Sequence, residues 1–348
     1  MPIPVRLDRH LISDSALAPL ADKVEAGERL SFDDGVALFR SDDITGIGHL
    51  ADSVNRAKHG DRVMFAANQH INPTNICILR KTCVFCSYAR LPKEEGAYRY
   101  TMEQIWEEAA TANSTLTREF HIVGGLDMKA GLAYYTEMFR GLKERHPHVH
   151  IKALTAVEIA HIARIEKMSI RDTLVALHEA GLDTMPGGGA EVFSPGVRAT
   201  IADKKLSGEE YIAVHREAHS LGIRSNCTML YGHVETYEDR IAHLSMLRDP
   251  RTRRAAISRT SRWHITPITM SWVRRCIARA RRRAASTISR TSRLAGSSST
   301  TSTTSSRTGS WSRRSCRRSR CTSASTISRE PWCARRSTTR PARTRRRR

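Results

Sequence analysis

Apolar and polar positions follow two different periods along the first 250 residues of this 348-residue chain. Up to about residue 60 they repeat at helical spacing. Ser31-x-x-Asp34 has the form of an N-terminal cap before Val36, Ala37, Leu38 and Phe39, and Ile44, Ile47, Leu50 and Val54 mark a second apolar stripe. Short amphipathic helices are therefore predicted over 1–60. From about residue 65, β-rich runs lie near 70–76, 120–123, 149–154, 182–186 and 224–230. The stretches between them are helical in pattern, with caps at Thr101-x-x-Gln104, Ser169-x-x-Asp172 and Ser207-x-x-Glu210.

Strands alternating with helices predict an α/β fold with a parallel sheet. Each run ends in polar or glycine residues: the cysteine loop, Gly124-Gly-Leu-Asp127, Thr155-Ala-Val-Glu158, Pro186-Gly-Gly-Gly-Ala-Glu191 and Tyr231-Gly-His-Val-Glu-Thr236. The C-terminal ends of strands are where a (β/α) TIM-type barrel collects its active site. About five βα units fit within 61–249, so the predicted barrel is incomplete. On that expectation the fifth strand is an exposed edge, which is an aggregation hazard and a threat to activity.

The net charge of +22 is the sum of two unlike segments. Residues 1–250 hold 29 basic and 34 acidic side chains, an ordinary balance for an enzyme. Residues 251–348 hold 28 arginines, no lysine and one acid, Glu330. Such a tail first suggests a disordered arm that neutralises phosphates. However, 87 of its 98 residues are Arg, Ser, Thr, Ala, Pro, Gly, Cys or Trp, whose codons carry G or C at the second base. Reading a GC-rich gene one base out of frame produces this pattern. Shifted back by one base, Ser258 to Trp272 becomes LTYIPLAYHPDHNEL, a strand-like run followed by a turn, and Arg307 to Arg314 is compatible with THWIMVTP. A frameshift near Asp249 is thus expected, followed by an out-of-frame, disordered 250–348, and nucleic acid is not expected as a partner. With no apolar leader and no apolar run of membrane-spanning length, the chain reads as cytoplasmic, without a membrane partner.

Three of the eight cysteines, Cys77, Cys83 and Cys86, fall within ten residues. In a reducing compartment such clustering points to metal or redox chemistry. Three thiolates can hold three irons of a 4Fe–4S cluster and leave the fourth open. A structural zinc site completed by His70, or incidental cysteines, are the competing readings.

A three-cysteine loop after the first strand, with Phe85 before the last cysteine and a Gly-Gly pair after the second strand, resembles the radical S-adenosylmethionine (SAM) superfamily. Within it, HINPTNIC, CSYARLPKEEGAY, HIKALTAVEIA, MPGGGAEVF and TMLYGHVET are similar to the aminofutalosine synthase family of menaquinone biosynthesis, over roughly residues 25–249. The reframed tail segments resemble that family's later strands. Two departures stand out. The cysteines are spaced C-x5-C-x2-C instead of C-x3-C-x2-C, and Asp127-Met128 stands where His-Pro is expected.

The resemblance implies a cluster on Cys77, Cys83 and Cys86, whose open iron takes the amino and carboxylate groups of SAM. One electron, from a reductant such as flavodoxin or ferredoxin, would cleave SAM to a 5′-deoxyadenosyl radical. That radical would add to 3-[(1-carboxyvinyl)oxy]benzoate to give 6-amino-6-deoxyfutalosine. Phe85 would pack by the cluster and Tyr88 would offer backbone to adenine. Gly124 and Gly125 would admit the SAM amino group, Gly188 the ribose or carboxylate, and Glu191 would accept from ribose hydroxyls. Thr155, Glu158, His233 and Glu235 would face substrate. Each has an ordinary structural alternative in core, turn or cap. The nearest functional alternatives are dehypoxanthine futalosine cyclase and a deazaflavin-forming synthase.

Overall fold

The computed structural model describes residues 5–112 and 115–248, and the backbone of 264–269. The N-terminal segment forms helices α1 (Ala18–Glu25), α2 (Phe32–Arg40) and α3 (Ile44–His59). Strands then alternate with helices: β1 (Asn68–Ile71), α4 (Met102–Ala110), β2 (Glu119–Ile122), α5 (Leu132–Arg145), β3 (His150–Ala153), α6 (Ala156–Glu166), α7 (Ile170–Glu179), β4 (Thr184–Met185), α8 (Pro195–Ile201), α9 (Gly208–Ser220), β5 (Arg224–Tyr231), α10 (Tyr237–Arg248) and β6 (His264–Thr269).

The helices start where their caps predict. Ser31, Thr101 and Ser207 each form a reciprocal capping box with the residue three positions on, and the Ser169 side chain accepts from the Asp172 N–H. All strands pair in parallel, in the sequential order β1 to β6. Sequential parallel pairing, with at least one helix in each described crossover, is the winding of a (β/α) barrel.

The strand alternation sorts side chains between two faces. Ile71, Phe120, Ile122, Ile151, Ala153 and Met185 are buried in one apolar cluster with Met138, Phe139 and Leu142 of α5 and Leu174 and Leu177 of α7. On the opposite face, His70, His121, Lys152 and Thr184 stand in register across β1 to β4. The interior of the sheet is therefore polar and its helix side apolar.

A second cluster joins α1, α2 and α3 to Ile241 and Leu244 of α10. Gly35 makes the close fit possible, because a Cβ there would lie 2.7 Å from Ile241 Cδ1. The N-terminal helices thus rest on the barrel's own α10.

One expectation is corrected. The fifth strand is not an edge: β5 pairs with β6 over six residues, Asn226 with His264 through Tyr231 with Thr269. The segment His-Ile-Thr-Pro-Ile-Thr is rich in β-branched residues, which suits a strand whatever frame encodes it. The remainder of the Arg/Ser/Thr-rich tail, expected to be disordered, lies outside the described residues. Among the described residues no helix is long and apolar enough to cross a membrane.

Ile241 packs α10 against the N-terminal helices, so Ile241→Ala should cost about 2–5 kcal/mol of unfolding free energy, read from urea melts. A loss below about 0.5 kcal/mol would show that the N-terminal helices do not depend on α10.

Candidate active site

The three clustered cysteines sit on the long connection from β1 to α4, which is held by backbone bonds in place of regular structure. Asn75 fixes its far limb: its Oδ1 accepts from the Tyr98 N–H at 2.8 Å and its Nδ2 donates to the Gly96 carbonyl at 2.8 Å. The Cys77 N–H donates to the Arg90 carbonyl at 2.9 Å and the Ile78 N–H to Leu126 at 3.1 Å. The two additional residues between Cys77 and Cys83 are absorbed in a turn, with the Thr82 and Cys83 N–H groups donating to Leu79 at 3.0 Å. Leu79 is buried, Lys81 exposed, and Arg80 is paired with Glu94 at 3.3 Å. Burial raises the pKa of the Cys77 and Cys83 thiols, and the positive charge of Lys205 opposes that rise.

Gly124 and Gly125 are set by their contact with this loop. A Cβ on Gly125 would lie 2.2 Å from the Ile76 carbonyl oxygen and 2.9 Å from Cys77 Cβ. The Gly125 N–H donates to Thr74 at 2.9 Å, and the Gly124 N–H to Glu158 Oε1 at 2.8 Å. Both donors are therefore used within the protein. An ammonium group needs acceptors, and each glycine carbonyl has two lone pairs to offer.

The glycine run after β4 is pressed against β5 and α6. A Cβ on Gly187 would meet the Cys227 backbone at 2.6 Å, and one on Gly188 the Thr155 methyl at 2.9 Å. Glu191 follows with φ +48, a left-handed conformation that costs a non-glycine residue about 1–3 kcal/mol. Its carboxylate is paired with Lys205 at 2.7 Å, and the Lys205 Nζ lies 4.9 Å from the Phe85 ring centre. Arg198 is buried and donates to the carbonyls of Ala190 at 2.6 Å and Leu206, bracing the run from beneath. Tyr88 places its hydroxyl 2.7 Å from that of Tyr98, and burial drives its pKa far up.

Four residues expected to face substrate also make bonds within the protein. Thr155 and Glu158 form the capping box of α6, with Glu158 Oε2 accepting from the Thr155 N–H and hydroxyl, both at 2.7 Å. Burial raises the Glu158 pKa against these bonds. Glu235 closes the turn after β5, accepting from the Gly232 and His233 N–H groups at 2.6 and 3.0 Å and pairing with Arg240. The His233 Nδ1 lies 2.8 Å from the Val234 nitrogen and 3.2 Å from Glu235 Oε2, and its Nε2 lies 3.1 Å from the Leu230 carbonyl oxygen.

A single zinc ion needs its donors about 2.0–2.3 Å from one point. Among the described residues no three His, Cys, Asp or Glu side chains gather in that way. His70 stacks on His121 at 4.7 Å, on the polar face of the sheet. A four-iron cluster takes one thiolate per iron, which suits three sulfurs spread along a loop beside a buried cation, so these residues fit a cluster.

The model of the radical SAM superfamily matches residues 71–247, which span every loop just described. The chain belongs to the radical SAM superfamily. Members of this superfamily are enzymes that work with a 4Fe–4S cluster and SAM, so those are its cofactors. It is 43% identical over 237 residues to the aminodeoxyfutalosine synthase of Thermus thermophilus, covering 68% of this chain and 63% of that one. It is 37% identical over 234 residues to a 5-amino-6-(D-ribitylamino)uracil–L-tyrosine 4-hydroxyphenyl transferase of Methanosphaerula palustris, covering 67% and 64%. The chain thus spans just under two thirds of the length of these relatives. Among solved structures, methylornithine synthase superposes with a TM-score of 0.55 at 21% identity, covering 72% of this chain and 67% of that one, a likeness of fold.

Three buried residues beside these loops were given no role from the sequence. Lys205 and Arg198 look like surface residues of an ordinary helical stretch, and only the fold brings them beneath the glycine run. Asp127, noted as a departure, is buried and paired with Arg99 at 2.7 Å, with the Lys129 N–H on its other oxygen at 3.0 Å. It ties the Gly-Gly loop to the far limb of the cysteine loop.

If His233 is structural, His233→Ala should cost about 1–3 kcal/mol in urea melts and leave the pH profile of SAM cleavage in place. Loss of one limb of that profile would instead make it an acid or base. Because the folded Glu158 carboxyl binds its proton more tightly than the unfolded one, its contribution to stability declines as pH rises above about 4.5. Comparing melts of wild type and Glu158→Gln between pH 4 and 8 should show a flatter slope in the variant.

Proposed function

We propose that the chain is an aminofutalosine synthase that joins the 5′-deoxyadenosyl group of SAM to 3-[(1-carboxyvinyl)oxy]benzoate, giving 6-amino-6-deoxyfutalosine. The observation that carries this reading is the 43% identity over 237 residues to a protein named aminodeoxyfutalosine synthase. The cluster and SAM together would supply a carbon radical.

The chain's own residues have three tasks. Cys77, Cys83 and Cys86 would hold the cluster, and the missing fourth cysteine leaves an iron for SAM. Phe85 would pack beside the cluster, and Tyr88, anchored to Tyr98, would steady the loop that offers backbone to adenine. The Gly124 and Gly125 carbonyls would accept from the SAM amino group, while Gly188 and Glu191 would receive ribose hydroxyls. The polar face carries His70, His121 and Lys152, the last paired with Glu119 at 2.7 Å, and would border the substrate. Burial, with smaller contributions from the neighbouring His70 and Lys152, pushes the His121 pKa down to about 3, so it would meet that substrate as a neutral ring. A flavodoxin or ferredoxin would deliver the electron.

A second reading, a deazaflavin-type synthase acting on 5-amino-6-(D-ribitylamino)uracil and tyrosine, is favoured by the 37% identity to a transferase whose name carries those substrates. Anaerobically reconstituted protein given SAM, dithionite and each substrate set separately decides between them. Formation of 6-amino-6-deoxyfutalosine from the benzoate is expected; a tyrosine-derived adduct with the uracil instead would overturn the assignment.

The same proposal includes a frameshift near Asp249. Sequencing the gene should reveal one single-base change that restores an apolar-periodic frame through the codons of Ser258–Trp272. A gene with no such frame would make the arginine-rich segment native.

A further inference from the structure

One buried cation near the cysteine loop has no part in the scheme above. Lys205 follows α8, and the chain there is stitched to the loop: the Val84 N–H donates to the Ile201 carbonyl at 3.1 Å, Cys83 and Ala202 form an antiparallel bridge, and the Lys205 N–H donates to Ala202 at 2.9 Å. The lysine side chain is 15% exposed. Lysine ordinarily keeps its head in water, and fixing one sacrifices about 2 kcal/mol of rotamer entropy in addition to the desolvation of the ammonium.

Glu191 offsets part of that cost, but it is itself buried, 7% exposed at the side chain, and held at φ +48. An apolar pair of similar volume would serve stability at least as well. The arrangement therefore needs a reason other than packing. That reason lies in where the ammonium is held: 4.9 Å from the ring of Phe85, which precedes Cys86, at the end of a segment bridged through Ala202 to Cys83.

We propose that Lys205, fixed by Glu191 and Phe85, is a positioning charge that holds the reduction potential of the cluster above the value the three-thiolate loop alone would set. The inference rests on Cys77, Cys83 and Cys86 being the ligands. Reduction takes one electron from an external low-potential donor and makes the cluster one unit more negative, with no bond formed or broken at the protein. A fixed positive charge in a poorly solvated site favours the more negative state. Glu191 holds the lysine in place and also partly cancels its field, so the two residues should act on the potential with opposite signs.

The test uses the full chain, anaerobically reconstituted, in wild type and the variants Lys205→Met, Lys205→Arg and Glu191→Gln. Each is titrated with dithionite in the absence of SAM, with the reduced cluster followed by electron paramagnetic resonance. Leaving SAM out removes any contribution from holding that molecule. At a fixed potential, Lys205→Met should lower the reduced-to-oxidised ratio at least tenfold, Lys205→Arg should stay near wild type, and Glu191→Gln should raise the ratio. Variants that load iron normally yet leave the ratio unchanged, or that shift it in the same direction, would overturn the inference alone. A wild-type chain that assembles no cluster would overturn the ligand assignment and the inference with it.

Discussion

The contact between Gly125 and the backbone of Ile76 is the joint on which this site depends. The chain between β1 and α4 runs for thirty residues without a regular element, from Asn72 to Thr101. Loops of that length are ordinarily unfixed, because too few bonds offset the entropy of ordering them. Here the second strand's loop comes close enough for the Gly125 N–H and the Leu126 carbonyl to bond the segment on both sides of Cys77. A methyl group at residue 125 would need 2.2 Å where a carbonyl oxygen already lies, so the cysteine loop can be held in this way only by glycine.

From that joint the remaining interactions radiate in layers. Glu158, at the start of α6, takes the free Gly124 N–H, and Asp127 reaches across to Arg99. Cys83 and Val84 are fastened to the end of α8, and Arg198 braces the glycine run whose last member leads into Glu191. Buried polar groups are costly unless bonded. These are bonded to one another across four connections, which makes the C-terminal end of the barrel a single rigid frame.

Much of this was legible in the chain. Strand positions, caps at Ser31, Thr101 and Ser207, and the collection of loops at one end of the sheet follow from period and capping chemistry, which are local. The cysteine cluster and the glycine runs were visible for the same reason. What could not be read was which polar residues face inward. Thr155 and Glu158 stand at a strand end, and three residues apart they also carry the S/T-x-x-E capping signature, whose cap they form. His233 and Glu235 were similarly taken up by a turn. Lys205 was invisible because its burial depends on the pairing of distant segments, and the fifth strand's partner was missed because the tail's composition obscured a short β-branched run.

The proposed site stands on three thiols that would hold a four-iron cluster with one iron open to SAM. The most direct measurement is electron paramagnetic resonance of the reduced, reconstituted chain before and after SAM is added. A cubic cluster signal whose g values change on addition of SAM, from protein carrying about four irons per chain, is the predicted result. Stoichiometric zinc without iron, or a cluster signal indifferent to SAM, would contradict it.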